Sequence, residues 1–118
     1  MPRFAITPNE DNTGRVLTYD YKKPAYASTL SVKPNAFKTY IEPAVLTGAM
    51  TVNAVTTNAQ EYDELVFILL SDTTSRTVTF GTNFKTTGTI APAISKSATI
   101  SFVFDGTNWL ETGRAVMA

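Results

Sequence analysis

The sequence contains no cysteine and no histidine. Without cysteine there are no disulfides and no thiolate chemistry, so stability has to come from packing or assembly. Without histidine the commonest general base and the commonest nitrogen ligand for zinc are missing. Charge is scarce too: Lys and Arg number 10, Asp and Glu number 10, and the formal net charge is zero over 118 residues. No global basic field is present to gather a polyanion. The split along the chain is mild, with a surplus of two basic groups in 1–47 and of two acidic groups in 48–118. Long apolar runs are also lacking. The longest, "LVFILL" at 65–70, falls far short of the roughly 20 residues that span a bilayer. The start, "MPRFAITPNEDNTGR", holds no apolar stretch of signal-peptide length, and no Asn-x-Ser/Thr sequon occurs. A soluble protein with no membrane partner is expected.

What the chain does have is threonine, 20 residues of it. A branched Cβ favours strands, and a hydroxyl faces water without adding charge. The C-terminal two-thirds parses into short alternating strands separated by turn signals. "GAMTVNAV" (48–55) puts Met50, Val52 and Ala54 on one face, and "RTVTFG" (76–81) puts Val78 and Phe80 inward. "LVFILL" reads as a central strand buried on both faces. "SATISFVF" (97–104) sets Ala98, Ile100, Phe102 and Phe104 on one side, and Asp105-Gly106 then supplies the strongest hairpin signal in the chain. No helical spacing persists over a dozen residues. The expected fold is all-β, a small antiparallel β-sandwich or jelly-roll-like domain of one core.

The first third differs. Five of the six prolines lie at positions 2, 8, 24, 34 and 43. Proline removes a ladder donor and restricts its predecessor. Apart from a strand at "RVLTYDY" (15–21), residues 1–42 are therefore expected to form an extended N-terminal arm with an edge strand, and 43–118 the β domain.

Patterns that carry chemistry are few. There is no nucleotide-binding glycine loop, no His-Glu-x-x-His and no Gly-x-Ser-x-Gly. Glu61, Asp63 and Glu64 are dense enough to consider for calcium, but no glycine provides the bend such a loop needs, so a solvated connection is expected. Asp105 and Glu111 flank Trp109 like a glycosidase pair beside a sugar-stacking ring, yet a hairpin offers no shaped cleft. Lys22, Lys23, Lys33 and Lys38 interleave with Tyr19, Tyr21, Tyr26, Phe37 and Tyr40, a pattern suited to single-stranded nucleic acid. Asp20 and Glu42 among them and the neutral total argue against that partner. No catalytic, cofactor-binding or metal-ligating residue is assigned, and no enzyme activity is expected.

The wording of one long stretch adds a resemblance. "TVTFGTNFKTTGTIAPAISKSATISFVFDGTNWLETGR" (77–114), with "LTGAMTVNAVTTNAQEYDELVFILLSDTTSRTV" (46–78) before it, resembles a β module of tailed-bacteriophage structural proteins. That module recurs in head decoration proteins and in head or tail fibres, and the likeness covers about 43–115. Such a module is a scaffold reused at several virion positions, so it does not fix one role. Because it makes up nearly the whole chain here, the resemblance implies a capsid decoration (cement) protein on the phage head surface. It would be made in the host cytoplasm, form a homotrimer, and bind the major capsid protein. A fibre or carbohydrate-binding module, with Trp109 or exposed tyrosines stacking on sugars, is the alternative, and a single-strand nucleic-acid binder the second alternative. The candidate capsid contacts lie in the arm: Arg3, Phe4, Tyr19, Tyr21, Lys22, Lys23 and Tyr26.

Overall fold

The described residues form nine strands, β1 (Tyr19–Lys22), β2 (Thr29–Val32), β3 (Lys38–Ile41), β4 (Met50–Ala54), β5 (Glu64–Leu70), β6 (Val78–Phe80), β7 (Phe84–Lys85), β8 (Ser97–Phe104) and β9 (Trp109–Val116). They come from a computed structural model that describes residues 18–118. The first six alternate between two sheets. β1, β3 and β5 lie side by side in a six-stranded sheet of order β1-β3-β5-β8-β9-β7, and β2, β4 and β6 form a three-stranded sheet. Every pairing among these six strands is parallel. The described residues therefore wind through three coils, each laying one strand in the long sheet and one in the short sheet. A coil lengthens from 19 residues (Tyr19 to Lys38) to 26 (Lys38 to Glu64). Only then does the topology turn antiparallel, with β5 against β8 and β8 against β9.

The all-β expectation holds, but the arrangement is β-solenoid-like rather than an antiparallel sandwich or jelly roll. The difference has a physical cause. Period-two alternation says that a segment is a strand with a wet and a dry face, and says nothing about the direction of its neighbour. Residues 18–42, expected as an arm with an edge strand, supply β1, which is an edge strand, together with β2 and β3. Leu30, Val32, Ala36 and Ile41 from this segment are buried in the core. Pro24, Pro34 and Pro43 each stand two residues beyond the end of β1, β2 and β3. There a missing N–H interrupts no ladder and a fixed φ starts the corner.

The core lies between the sheets. Leu65, Phe67 and Leu69 of β5 face inward and are fully buried, as are Val52, Val78, Ile100 and Trp109. Phe67 meets Phe80, Phe84 and Phe102 edge-on at centroid distances of 5.1, 6.1 and 6.0 Å. Edge-to-face packing satisfies the ring quadrupoles, and burying each ring stabilises the fold by about 1.5–3 kcal/mol. On β1 the inward positions are instead Asp20 and Lys22, paired with each other at 3.1 Å. The inner lining of the long sheet thus turns from apolar to charged at β1, while Leu30 and Val32 of β2 keep the short sheet's lining apolar.

Local signals explain the corners. Gly81 sits where the Asn53 side chain closes on it, so a Cβ there would collide with Asn53 Oδ1. That oxygen accepts from the Thr82 N–H at 2.7 Å, while Asn83, at φ 68°, donates from Nδ2 to Ala54 O at 2.7 Å. In the β8–β9 hairpin Asp105 Oδ1 accepts from the N–H groups of Thr107 and Asn108 at 2.8 and 2.7 Å. Those contacts lower the Asp105 pKa, and Gly106 takes φ 100°.

The two ends of the coil stack are finished differently. At the C-terminal end β8 and β9 extend the long sheet past β5, and Ile90 exchanges both backbone hydrogen bonds with Val78 on the free side of β6. At the other end, among the described residues, no strand lies beyond β1 or β2. No helix of the described residues is long and apolar enough to cross a membrane.

Candidate functional site: the aromatic face of the long sheet

Parallel pairing of β1 with β3 puts Tyr21 beside Tyr40, and period-two alternation brings Tyr19 to the same outer face. The Tyr21 and Tyr40 rings stack at 5.3 Å with 8° between their planes, and Tyr19 stands 6.5 Å from each. Tyr19 and Tyr21 remain 57% and 68% exposed although they are large and partly apolar. The row continues across the sheet, because Tyr40 is in register with Val66 of β5. Val66, Ile68 and Leu70 are half-buried there. "LVFILL" is therefore central in the sheet, as expected, but one of its two faces remains open to solvent.

Charge around this face is balanced locally. Lys38 Nζ lies 5.4 Å over the Tyr40 ring and 3.4 Å from a Glu64 carboxylate oxygen. Tyr40 first, and Glu64 with it, raise the Lys38 pKa, so the ammonium stays charged. Lys23 pairs with Glu42 at 3.7 Å. Two shallow hollows interrupt the surface: one of about 340 Å³ lined by Thr18, Tyr19, Phe37, Lys38 and Glu64, and one of about 140 Å³ between Tyr21, Tyr40 and Ile68. A third, of about 460 Å³, opens at the first-coil end between the sheets, where Lys22, Leu30, Val32 and Ile41 line it.

The sequence-derived contacts divide accordingly. Arg3 and Phe4 lie outside the described residues. Tyr19, Tyr21 and Lys23 gather on or beside the aromatic face. Lys22 points to the opposite side of β1, toward Asp20. Tyr26 belongs to the scaffold: its ring packs on the core and its hydroxyl donates to Ala49 O at 2.7 Å. Tyr40 and Lys38, flagged only in the aromatic-and-lysine pattern, turn out to be central to the face. Val66 and Ile68 were missed, and the register of β3 on β5 is the signal that would have found them.

The remaining candidates serve the fold. Trp109 is fully buried against Phe104 at 5.0 Å, so sugar stacking through Trp109 is corrected: the ring has no solvent-facing side. Glu111 is held by Arg114 Nε at 2.7 Å and accepts from Thr87 N–H and Oγ1. Arg114, together with those Thr87 contacts, lowers the Glu111 pKa to about 2. Arg114 also donates to Thr89 O and Gly88 O, tying the segment after β7 to β9. Asp63 is buried and accepts from the Gln60 N–H at 2.9 Å, whereas Glu61 and Glu64 face water. Among the described residues no three acidic side chains converge to hold a metal ion. Set against models of protein families and against curated protein sequences, the chain matches none.

Proposed function

We propose that the protein is a non-enzymatic structural component of a phage virion, a decoration protein that binds the outer surface of the capsid and stabilises it. The observation that carries this reading is the stacked row of exposed Tyr19 and Tyr21 and half-buried Tyr40, running into half-buried Val66 and Ile68 on the outer face of the long sheet. Tyrosine supplies large contact area with few torsions to freeze, which is why it concentrates at binding hot spots. Ion pairs inside the face leave little net charge, which suits a protein surface better than a polyanion. The resemblance of 43–115 to phage head and fibre modules gives the class of partner, the major capsid protein. Binding across subunit boundaries would stabilise the assembled shell by mass action alone.

Co-sedimentation with capsids that lack the protein tests this. Stoichiometric pelleting with intact capsids is expected. No pelleting, together with glycan-array binding that depends on Tyr19 and Tyr21, would instead favour the fibre module, for which the exposed tyrosine rings are the supporting feature.

A further inference from the structure

The first coil ends in strand edges that no described residue covers. Lys38 N–H donates to Thr18 O and Glu42 N–H to Lys22 O. In a parallel ladder the groups facing the neighbour alternate along the strand, so those of Thr18, Asp20 and Lys22 face β3. The N–H and C=O groups of Tyr19 and Tyr21 therefore point out of the sheet. The short sheet ends the same way: Thr51 N–H donates to Ser28 O and Val55 N–H to Val32 O, which turns Thr29 and Ser31 outward. An unpaired edge of this kind is a template for another strand. At the other end the short sheet is covered, since Ile90 pairs with the outer side of β6, while in the long sheet the two-residue β7 covers β9 only at Trp109 and Leu110.

We propose that this edge pairs with the same edge of a second copy of the chain, β1 antiparallel to β1 about a two-fold axis at Tyr21. The sequence of the strand selects that register. About Tyr21, "Tyr19-Asp20-Tyr21-Lys22-Lys23" is charge-complementary to itself. Asp20 meets Lys22 of the second copy on the inner face, and Tyr19 meets Lys23 on the outer face. Directly opposite side chains lie about 4.5–5.5 Å apart, close enough for both pairs to form. An axis at Asp20 would oppose two aspartates, and one at Lys22 two lysines, so each neighbouring register places like charges together. Backbone geometry agrees. Tyr21 faces the edge, so the two Tyr21 residues exchange both hydrogen bonds, whereas Asp20 and Lys22 are committed to β3. Pro24, which has no N–H to offer, falls at a position facing β3 and subtracts nothing from the new ladder.

Three things follow for the molecule. The six-stranded sheet becomes continuous through the axis. The aromatic row doubles, with Tyr40, Tyr21 and Tyr19 of one copy leading into the same residues of the other. The open mouth of the core beside Lys22, Leu30 and Val32 is shielded. The pairing rests on the strand edge and not on the sheet face, so it stands apart from the capsid-docking face, and it puts a two-fold dimer in place of the homotrimer that the resemblance implies.

The absence of native cysteine gives a direct test. Tyr21→Cys places two thiols across the axis with Cα atoms about 5.5 Å apart, within disulfide range. In the full-length protein under mild oxidation, Tyr21→Cys is expected to form a covalent dimer roughly a hundredfold faster than Thr107→Cys in the distant hairpin, because pairing raises the local thiol concentration. Light scattering of the unmodified chain is expected to give a dimer. Lys22→Asp is expected to make it monomeric with an unchanged circular dichroism spectrum, and Asp20→Lys with Lys22→Asp to restore the dimer. Equal cross-linking of the two cysteine variants would overturn the pairing. A monomer or trimer for the unmodified chain would do so as well, and would leave the edge to a foreign strand or to another segment of the same chain.

Discussion

At the scale of single residues, neighbours within 3 Å decide most roles. Glu111 shows this with a measurable pH signature. Its pKa is lowered to about 2 in the folded protein from an ordinary 4.5, with Arg114 the main cause. A depressed carboxylate pKa contributes stability that is fully present above the unfolded value and is lost as pH falls through the folded one. Thermal midpoints should therefore decline between pH 4.5 and pH 2 partly through this group. The gap between the unmodified protein and Glu111→Gln should close over the same window. Gly81→Ala should cost about 1–2 kcal/mol in urea unfolding, because Asn53 must swing off the added methyl and give up the Thr82 N–H. Phe67→Ala should cost about 3–5 kcal/mol by the same measurement, since three rings lose their common partner.

At the scale of elements, some strands were legible in the sequence and others were not. β4, β6, β8 and the Asp105-Gly106 turn could be read directly, because alternation and turn chemistry are local properties. Parallel winding was hidden, since it depends on pairings between residues about twenty positions apart or more. One sign of it was present. "YKKP", "SVKP" and "YIEP" each close a strand (β1, β2 and β3) with a charged residue followed by proline. Read as corners of a coil, these prolines mark regular strand ends, whereas read as breakers they suggest an arm. The candidate site was half legible for the same reason. Tyr19 and Tyr21 stand out in the sequence, but only the β1–β3–β5 register joins them to Tyr40, Val66 and Ile68. The hairpin turn should be a sensitive point: Asp105→Ala removes the acceptor for two backbone N–H groups and should lower the thermal midpoint.

At the scale of the whole molecule, two coil faces serve different ends. The inner faces make one apolar core with a cluster of phenylalanine rings in it, and the outer face of the long sheet presents an ordered tyrosine row with paired charges beside it. The most direct measurement is binding of purified variants to capsids that lack the protein. Tyr21→Ala with Tyr40→Ala is compared with Tyr62→Ala, whose ring is 77% exposed outside the row. Two hot-spot tyrosines are together worth about 2–4 kcal/mol, so the double variant should bind roughly a hundredfold more weakly while Tyr62→Ala binds like the unmodified chain. Equal binding by all three would contradict the assignment of the aromatic face as the docking surface.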